Sequence, residues 1–366
     1  MNVVFDARYR RESGVGRYVV ELARELEQHG RLRYTFLRGR HEGSLGMRVP
    51  THPFTVIDQL GVALAVRRLH PQLFHCPHFL VPLLWRGPLV VSIHDVIPLE
   101  YPESIGSPVA RRLYPFLIEV ACARALRLLV PSRATGNALE RHGLAPHDRI
   151  VVTPYAAPML AENHADRPIE RSAFILYVGD LKPHKNVRTI LHAYSGLTPG
   201  LRNRARLLIV GDGPDRDSLR EQTIALGINE QVSFRGHVSD QELAALYAGA
   251  HFVVLPSLAE GFGFPALEAM ARGVPAVVSE IPALREITAG AALSFDPHSP
   301  EALQVLLARL LEDDDLRADF SARGRQRAVA FSWAVTARLT EDAYEMALSG
   351  GEMRKEDDDE GGSRAL

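Results

Sequence analysis

Two glutamates separated by seven residues, Glu260 and Glu268, flank a loop of glycines and phenylalanines in the stretch HFVVLPSLAEGFGFPALEAMARGVPAVVSEIPALREI, residues 251–287. Carboxylates are good acceptors for sugar hydroxyls, and two of them flanking a loop that folds back could meet one ligand at different points. Phe252–Pro256 reads as a buried strand, Gly261-Phe262-Gly263 as a loop, and Pro265 as the first position of a helix stopped by Gly273. A helix opening after a glycine loop presents backbone N–H groups and its positive dipole end, which suits an anion such as a phosphate. The competing local reading makes Ser257 and Glu260 an S-x-x-E capping box and Glu268 a solvated helix residue.

A second cluster supplies cations. The chain has three lysines among 42 lysines and arginines, and two of them, Lys182 and Lys185, lie in the segment YVGDLKPHKN, residues 177–186. Ammonium groups gathered in one loop of an arginine-using chain favour a point-charge contact with phosphate. In the first half, Ser13-Gly14-Val15-Gly16-Arg17-Tyr18 opens a helix that ends near Gly30. Its glycines allow close backbone approach, but a third glycine and an acidic ribose ligand are missing, so it is a weak dinucleotide fingerprint. His94-Asp95 ends the strand Leu89–Ile93. A lone histidine there is ordinarily a structural hydrogen-bonder, although the carboxyl edge of a sheet is also where ligands bind. His75, Cys76 and His78 lie close together without a second ligand pair, so no metal site is expected.

The elements that must hold these residues follow from periodicity. Short apolar runs at Asn2–Phe5, Leu89–Ile93, Leu128–Val130, Ile150–Thr153, Phe174–Val178, Leu207–Val210, Val232–Phe234, Phe252–Pro256 and Ala276–Ser279 alternate with segments of helical spacing. That alternation is the signature of an α/β protein with parallel sheets. At 366 residues the chain is long enough for two domains. The expected partition is a first domain over 1–157, a polar linker over 158–172 with two prolines, a second domain over 173–330, a helix over 331–349 and a disordered, charged, glycine-rich tail over 350–366.

Composition excludes several classes. Hydrophobic residues at 46% and charged residues at 23% are ordinary for a globular protein. No run of eighteen apolar residues is present, and the N-terminus MNVVFDARYRR puts its apolar segment before its basic one, the reverse of a secretory leader. Two cysteines, Cys76 and Cys122, suit a reducing compartment, so a cytoplasmic location is expected. The net charge of -2 conceals an asymmetry, with 21 arginines against 16 acids in residues 1–170 and 21 lysines and arginines against 28 acids beyond. A basic first half fits an acceptor side that meets anionic lipid or phosphate. Residues 108–127, PVARRLYPFLIEVACARALR, interleave arginine with apolar residues as a helix lying on a membrane surface does, and a helix packed on its own core gives the same pattern. Nucleic acid is not an expected partner.

The pattern Glu260-GFGFPAL-Glu268 followed by EAMARGVPAVVS resembles the signature of the family 4 retaining glycosyltransferases, enzymes of the GT-B fold with two Rossmann-like domains facing each other across a cleft. The resemblance covers nearly the whole chain and is strongest over 174–290. It implies that Glu260 faces the transferred sugar, that Glu268 bonds the ribose hydroxyls, that backbone amides of Gly261, Phe262, Gly263 and Phe264 hold the sugar, and that the helix start at Leu267 meets the phosphate. Gly179 through Lys185 is similar to the family's phosphate-binding loop, with Lys185 before Asn186 gripping the diphosphate. Many members carry an arginine directly after the glycine where this chain has Asp180, so Lys182 or His184 must supply the second charge, or the leaving group is stabilised less. Gly14 and Gly16 match a loop that closes over the donor diphosphate, His94 a histidine beside the donor sugar, and Arg235 to Val238 a segment that contacts the base through its backbone. Phe331-Ser332-Trp333 with Tyr344 resembles the closing helix that crosses back onto the first domain. The words HDVIPLEYPE and YVGDLKPHKN look most like mannosyltransferases of exopolysaccharide or O-antigen assembly.

The implied reaction is transfer of a hexose, with mannose from GDP-mannose the leading case and a UDP-sugar the alternative, to a glycan or polyprenol-linked acceptor. It retains configuration and needs neither metal nor cofactor. A GT-B epimerase or phosphorylase, and a non-catalytic nucleotide-sugar-binding module, are the rival readings.

Overall fold

A computed structural model describes residues 1–9, 13–39, 47–49, 56–157 and 173–361 of the chain. The expected linker over 158–172 lies outside the described residues. The chain divides into two units, one made of Met1–Val96, Arg112–Tyr155 and Ser332–Leu366, the other of Ile97–Arg111 and Ala156–Phe331.

In chain order the first stretch runs β1 (Asn2–Asp6), α1 (Gly14–His29), β2 (Arg33–Arg38), β3 (Met47–Arg48), α2 (Val56–Leu69), β4 (Leu73–Cys76), β5 (Leu89–Ser92), α3 (Ile97–Glu100), α4 (Pro108–Arg124), β6 (Arg127–Val130), α5 (Arg133–Arg141) and β7 (Ile150–Val152). The seven strands form one parallel sheet in the order β3-β2-β1-β4-β5-β6-β7. Residues of β1, β4, β5 and β6 are almost wholly buried, as strands covered on both faces must be.

The second stretch runs β8 (Phe174–Val178), α6 (Val187–Ser195), α7 (Pro199–Arg204), β9 (Arg206–Val210), α8 (Arg216–Ala225), β10 (Val232–Gly236), α9 (Asp240–Gly249), β11 (Ala250–Leu255), α10 (Phe264–Ala271), β12 (Ala276–Ser279), α11 (Pro282–Thr288), β13 (Leu293–Phe295), α12 (Pro300–Glu312) and α13 (Asp314–Ala328). Its six parallel strands are ordered β10-β9-β8-β11-β12-β13. One apolar core fills the face under α6, α8 and α12, and a second the face under α9, α10 and α11.

The last helix, α14 (Trp333–Gly361), belongs to the first unit. Ala343, Tyr344 and Ala347 are buried with Val3, Leu73, Val90 and Leu129 beneath the sheet. Glu341 accepts the Arg31 amide, the Arg31 guanidinium and the Tyr34 hydroxyl.

All nine apolar runs read from the sequence fall on strands, and β2, β3, β4 and β13 are additional. Two boundaries are corrected. The segment Ile97–Arg111 joins the second unit, where Tyr101 lies 6.3 Å from the His184 ring. The helix continues through the expected tail to Gly361, because Glu352, Met353, Arg354, Lys355 and Glu356 favour helix more than the paired glycines before them oppose it. Residues 362–366 of that tail lie outside the described residues.

Candidate functional site

In an open parallel sheet the loops at the carboxyl ends of the strands diverge where the strand order reverses, and ligands bind in that crevice. In the second unit the reversal falls between β8 and β11. The loop after β8 carries Lys182 and Lys185, and the loop after β11 carries Glu260, so both clusters are delivered to one place.

The Lys185 Nζ lies 2.6 Å from Glu260 Oε1, with 19% and 10% of the two side chains exposed. Ser257 donates its hydroxyl to the same oxygen at 2.7 Å. The capping-box reading is thereby corrected: α10 starts at Phe264, its N-cap is Gly263, and Ser257 orients Glu260 instead of capping a helix. Among the described residues Glu260 Oε2 takes no hydrogen bond, which leaves one carboxylate oxygen to offer.

Lys185 closes a short turn, Pro183–Lys185, and is followed by Asn186 in the left-handed conformation at φ 54. Asparagine tolerates that conformation, and its side-chain amide donates to the Pro256 and Pro297 carbonyls at 3.0 and 2.9 Å. The lysine is thus anchored to the end of β11, the strand that leads to Glu260. Lys182 pairs instead with Asp180 at 3.0 Å. His184 is buried and held down at about 4, by burial first and then by Lys185, so it is neutral near pH 7 and carries no charge in the free protein.

Gly261, Phe262 and Gly263 are buried, and Phe262 packs edge-on against Phe264 and Phe331. Gly263 has φ 108, and a methyl there would meet Leu284 at 2.5 Å, so glycine is needed for the sharp entry into α10. The helix ends in a Schellman motif at Gly273, φ 70, whose N–H bonds the Met270 carbonyl while that of Val274 reaches Ala269. Leu267 is wholly buried, and its N–H bonds the Gly263 carbonyl at 3.3 Å. Glu268 is not a solvated helix residue: it is fully buried and accepts the Tyr247 hydroxyl at 2.7 Å.

Gly179 follows β8, and its N–H bonds the Val210 carbonyl. Arg235 is exposed on β10, and Val238 packs half-buried against the core. In the first unit Gly14 and Gly16 lie in the first turn of α1, where the Ser13 hydroxyl accepts the Gly16 N–H. His94 has both ring nitrogens engaged, Nε2 donating to the Pro77 carbonyl at 2.8 Å and Nδ1 accepting from Tyr155 at 2.7 Å. Burial pushes it down to about 4 against the raising effect of the Pro77 bond, so it is a fixed neutral imidazole, not a poised base. His75 bonds Tyr344 and Ser92, and no cluster of three metal-ligating side chains occurs among the described residues.

Sequence reasoning passed over the loop after β9. Gly211 and Gly213 sit so close to the Gly179–Leu181 backbone that a methyl on either would lie 2.0 Å from the Gly179 oxygen or 2.4 Å from the Leu181 oxygen. The signal was available: Val178-Gly179-Asp180 recurs as Val210-Gly211-Asp212 at the end of the neighbouring strand. Tyr247 was also missed, as was the anchoring role of Asn186, which the sequence marked only as the residue after Lys185.

Comparison with known proteins adds the following. The description Glycosyl transferases group 1 matches residues 161–327, and Glycosyltransferase Family 4 matches residues 13–156. O-antigen chain mannosyltransferase B of Escherichia coli is 30% identical over 91% of this chain and 96% of its own length. Serotype-specific mannosyltransferase WbdA of Escherichia coli is 28% identical over 71% of this chain, which spans only 33% of that protein. Among solved structures, Anabaena HepE in complex with UDP-glucose is similar in fold, with a TM-score of 0.75, 18% identity, and coverage of 94% of this chain and 100% of that one. Among the described residues, no helix is long and apolar enough to cross a membrane.

Proposed function

The chain belongs to the family 4 glycosyltransferases and has the GT-B fold, and from that premise we propose that it moves mannose from GDP-mannose onto a glycan or polyprenol-linked acceptor, with retention of configuration and without a metal. The observation that carries this reading is the Lys185–Glu260 pair at the strand-order reversal of the second unit. Mannose rests on the O-antigen mannosyltransferase that is 30% identical across nearly the full length of both chains.

In the proposed reaction the donor diphosphate binds at Lys185 and at the amino end of α10, where ammonium, backbone amides of Gly261 to Phe264 and the helix dipole near Leu267 offset the charge that develops as it leaves. Gly14, Gly16 and Gly179 give the backbone access to the donor, Lys182 is a second cation once drawn from Asp180, and Arg235 to Val238 borders the base. Glu260 offers its second oxygen to the sugar and supports the positive charge at the anomeric carbon, while Glu268 receives the ribose hydroxyls. The attacking acceptor hydroxyl gives its proton to the departing phosphate. His94, neutral and bonded at both nitrogens, is proposed as a positioning residue and is not assigned a proton transfer.

The acceptor reading includes contact of the first unit with a membrane surface. The helix α4 buries Tyr114, Ile118, Ala121 and Cys122 on one side and exposes Leu113 and Phe116 beside Arg112 on the other. Sedimentation with anionic liposomes tests it, and a protein wholly in the supernatant argues against docking.

The function itself is tested by thermal shift with GDP-, UDP- and ADP-sugars, since a true donor stabilises the folded state by mass action, followed by transfer assays with the donor so found. Glu260→Gln should lower kcat by about 100-fold or more, the scale of losing a group that acts at the developing charge. Lys185→Ala should weaken donor binding as well. If Lys185→Ala abolished turnover while Glu260→Gln left it intact, the role given to Glu260 would be wrong; a donor whose sugar is epimerised or released instead of transferred would replace the reaction.

A further inference from the structure

The charges in the loop after β8 are already matched. Lys182 is paired with Asp180 at 3.0 Å and Lys185 with Glu260 of the loop after β11 at 2.6 Å, so the two ion pairs together bring no net positive charge to an arriving diphosphate. Between the two lysines stands His184. The residue is 5% exposed, its Nδ1 is buried without a partner, and its Nε2 makes no hydrogen bond among the described residues. Buried polar atoms are nearly always partnered, and an imidazole left open at both nitrogens beside a charged pair is a group waiting for a ligand or a proton.

The ring is held in place by its surroundings. The His184 carbonyl accepts the Leu258 N–H at 2.8 Å, which ties the backbone there to the loop carrying Glu260, and the Tyr101 ring of the Ile97–Arg111 segment lies 6.3 Å from the imidazole. The groups that face it are Asp180, Lys182 and Lys185 on its own loop, Glu260 from the loop after β11, and Tyr101, which Glu100 and Glu103 flank.

We propose that His184 completes the charge of the nucleotide site: neutral in the free enzyme, it takes one proton from solvent as the diphosphate of a nucleotide binds beside Lys185, and returns it when the nucleotide leaves. The proposal rests on the nucleotide-binding reading above and adds to it a protonation change at a residue outside the glutamate motif. In the free protein burial and Lys185 act together against the imidazolium. A phosphate beside the ring acts in the opposite sense, because a nearby negative charge favours the charged form. A neutral imidazole leaves the matched charges of the free site as they are, whereas a proton acquired with the ligand adds positive charge when the diphosphate is there to offset it.

The test is isothermal titration of the full chain with GDP and with UDP at pH 6.5, in two buffers of different ionisation enthalpy, for wild type, His184→Gln and His184→Asn. Thermal unfolding verifies that the variants are folded. Ionisation of the nucleotide's own phosphate is common to all three proteins and cancels in the difference. Wild type should take up more protons on binding than either variant, by about half a proton or more, and its Kd should tighten relative to theirs by up to about tenfold per pH unit as pH falls. Asp180→Asn, which frees Lys182, should reduce the uptake. Equal proton uptake in wild type and both variants, with GDP or UDP still bound, overturns the proposal and leaves the nucleotide site standing. Failure of both nucleotides to bind wild type removes the site reading and the proposal with it.

Discussion

Gly211→Ala measures how firmly the loops after β8 and β9 are locked together. A methyl at 211 would lie 2.0 Å from the Gly179 oxygen and 2.8 Å from its carbonyl carbon, both backbone atoms that no rotamer change can clear. The backbone there has φ 124, a region closed to L side chains, so relaxation in place costs about 1–3 kcal/mol. Shifting the loop to clear the clash adds to that strain, because it loosens the Gly179 N–H bond to Val210 and the Gly211 N–H bond to Gly236, at 3.0 and 2.8 Å. Each such bond is worth roughly 1 kcal/mol net, so the total effect is about 3–5 kcal/mol. Gly227→Ala is the matched control, with φ 65 and nothing within 4 Å of the added methyl, so it carries backbone strain alone, about 1 kcal/mol. For a unit of this size each kcal/mol lowers Tm by about 2–4 °C, so the control should lose a few degrees and Gly211→Ala roughly 6–20 °C. Because Lys185 rides on the displaced loop, Gly211→Ala should also weaken GDP or UDP binding by about tenfold, the scale of one lost charge-assisted bond, and the control should not. Equal Tm and equal Kd for the two variants would refute the claim that backbone contact positions the lysine.

Stability should fall as pH drops below about 6.5. Burial depresses His75 and His78 to about 3 and His94 to about 4, so all three stay neutral in the folded state while the unfolded chain binds their protons. The stabilisation is fully present above the unfolded value near 6.5 and is lost as pH falls toward the folded values, with a slope of up to about 1.4 kcal/mol per group per pH unit. A thermal-unfolding series from pH 7.5 to 5 that stayed flat below 6.5 would contradict it. Tyr247→Phe removes a donor from a fully buried carboxylate, Glu268, and should destabilise by about 1.5–3 kcal/mol, the range for hydrogen bonds to charged groups. It should raise the nucleotide Kd while leaving kcat near wild type, since Glu268 is assigned to the ribose; a fall in kcat with unchanged Kd would move that glutamate to the reacting centre.

What could be read in the residues and what could not divides along a physical line. Strands such as Phe174–Val178 and Phe252–Pro256 announce themselves because burial on both faces demands an unbroken apolar run, and the glycine loop before α10 does so because only glycine fits at Gly263. The weaker strands β3 and β13 are two and three residues long and too short to carry a pattern. Asn186, Tyr247 and the Gly211 loop escaped because their roles lie in contacts with partners far along the chain, and local periodicity carries no information about partners. The same limit explains Ser257 and Glu260, whose spacing suits a capping box and whose actual bond depends on where α10 begins. The site itself is the clearest case. Lys185 and Glu260 stand 75 positions apart, each legible as a loop residue after a strand, and nothing local says that the two loops meet. They meet because the chain passes outward from β8 through β9 to β10 and then returns to the other side of β8 as β11. That single reversal splays the helices apart at the carboxyl ends of β8 and β11, so strand order, not either motif, brings a lysine and a glutamate together as a candidate site.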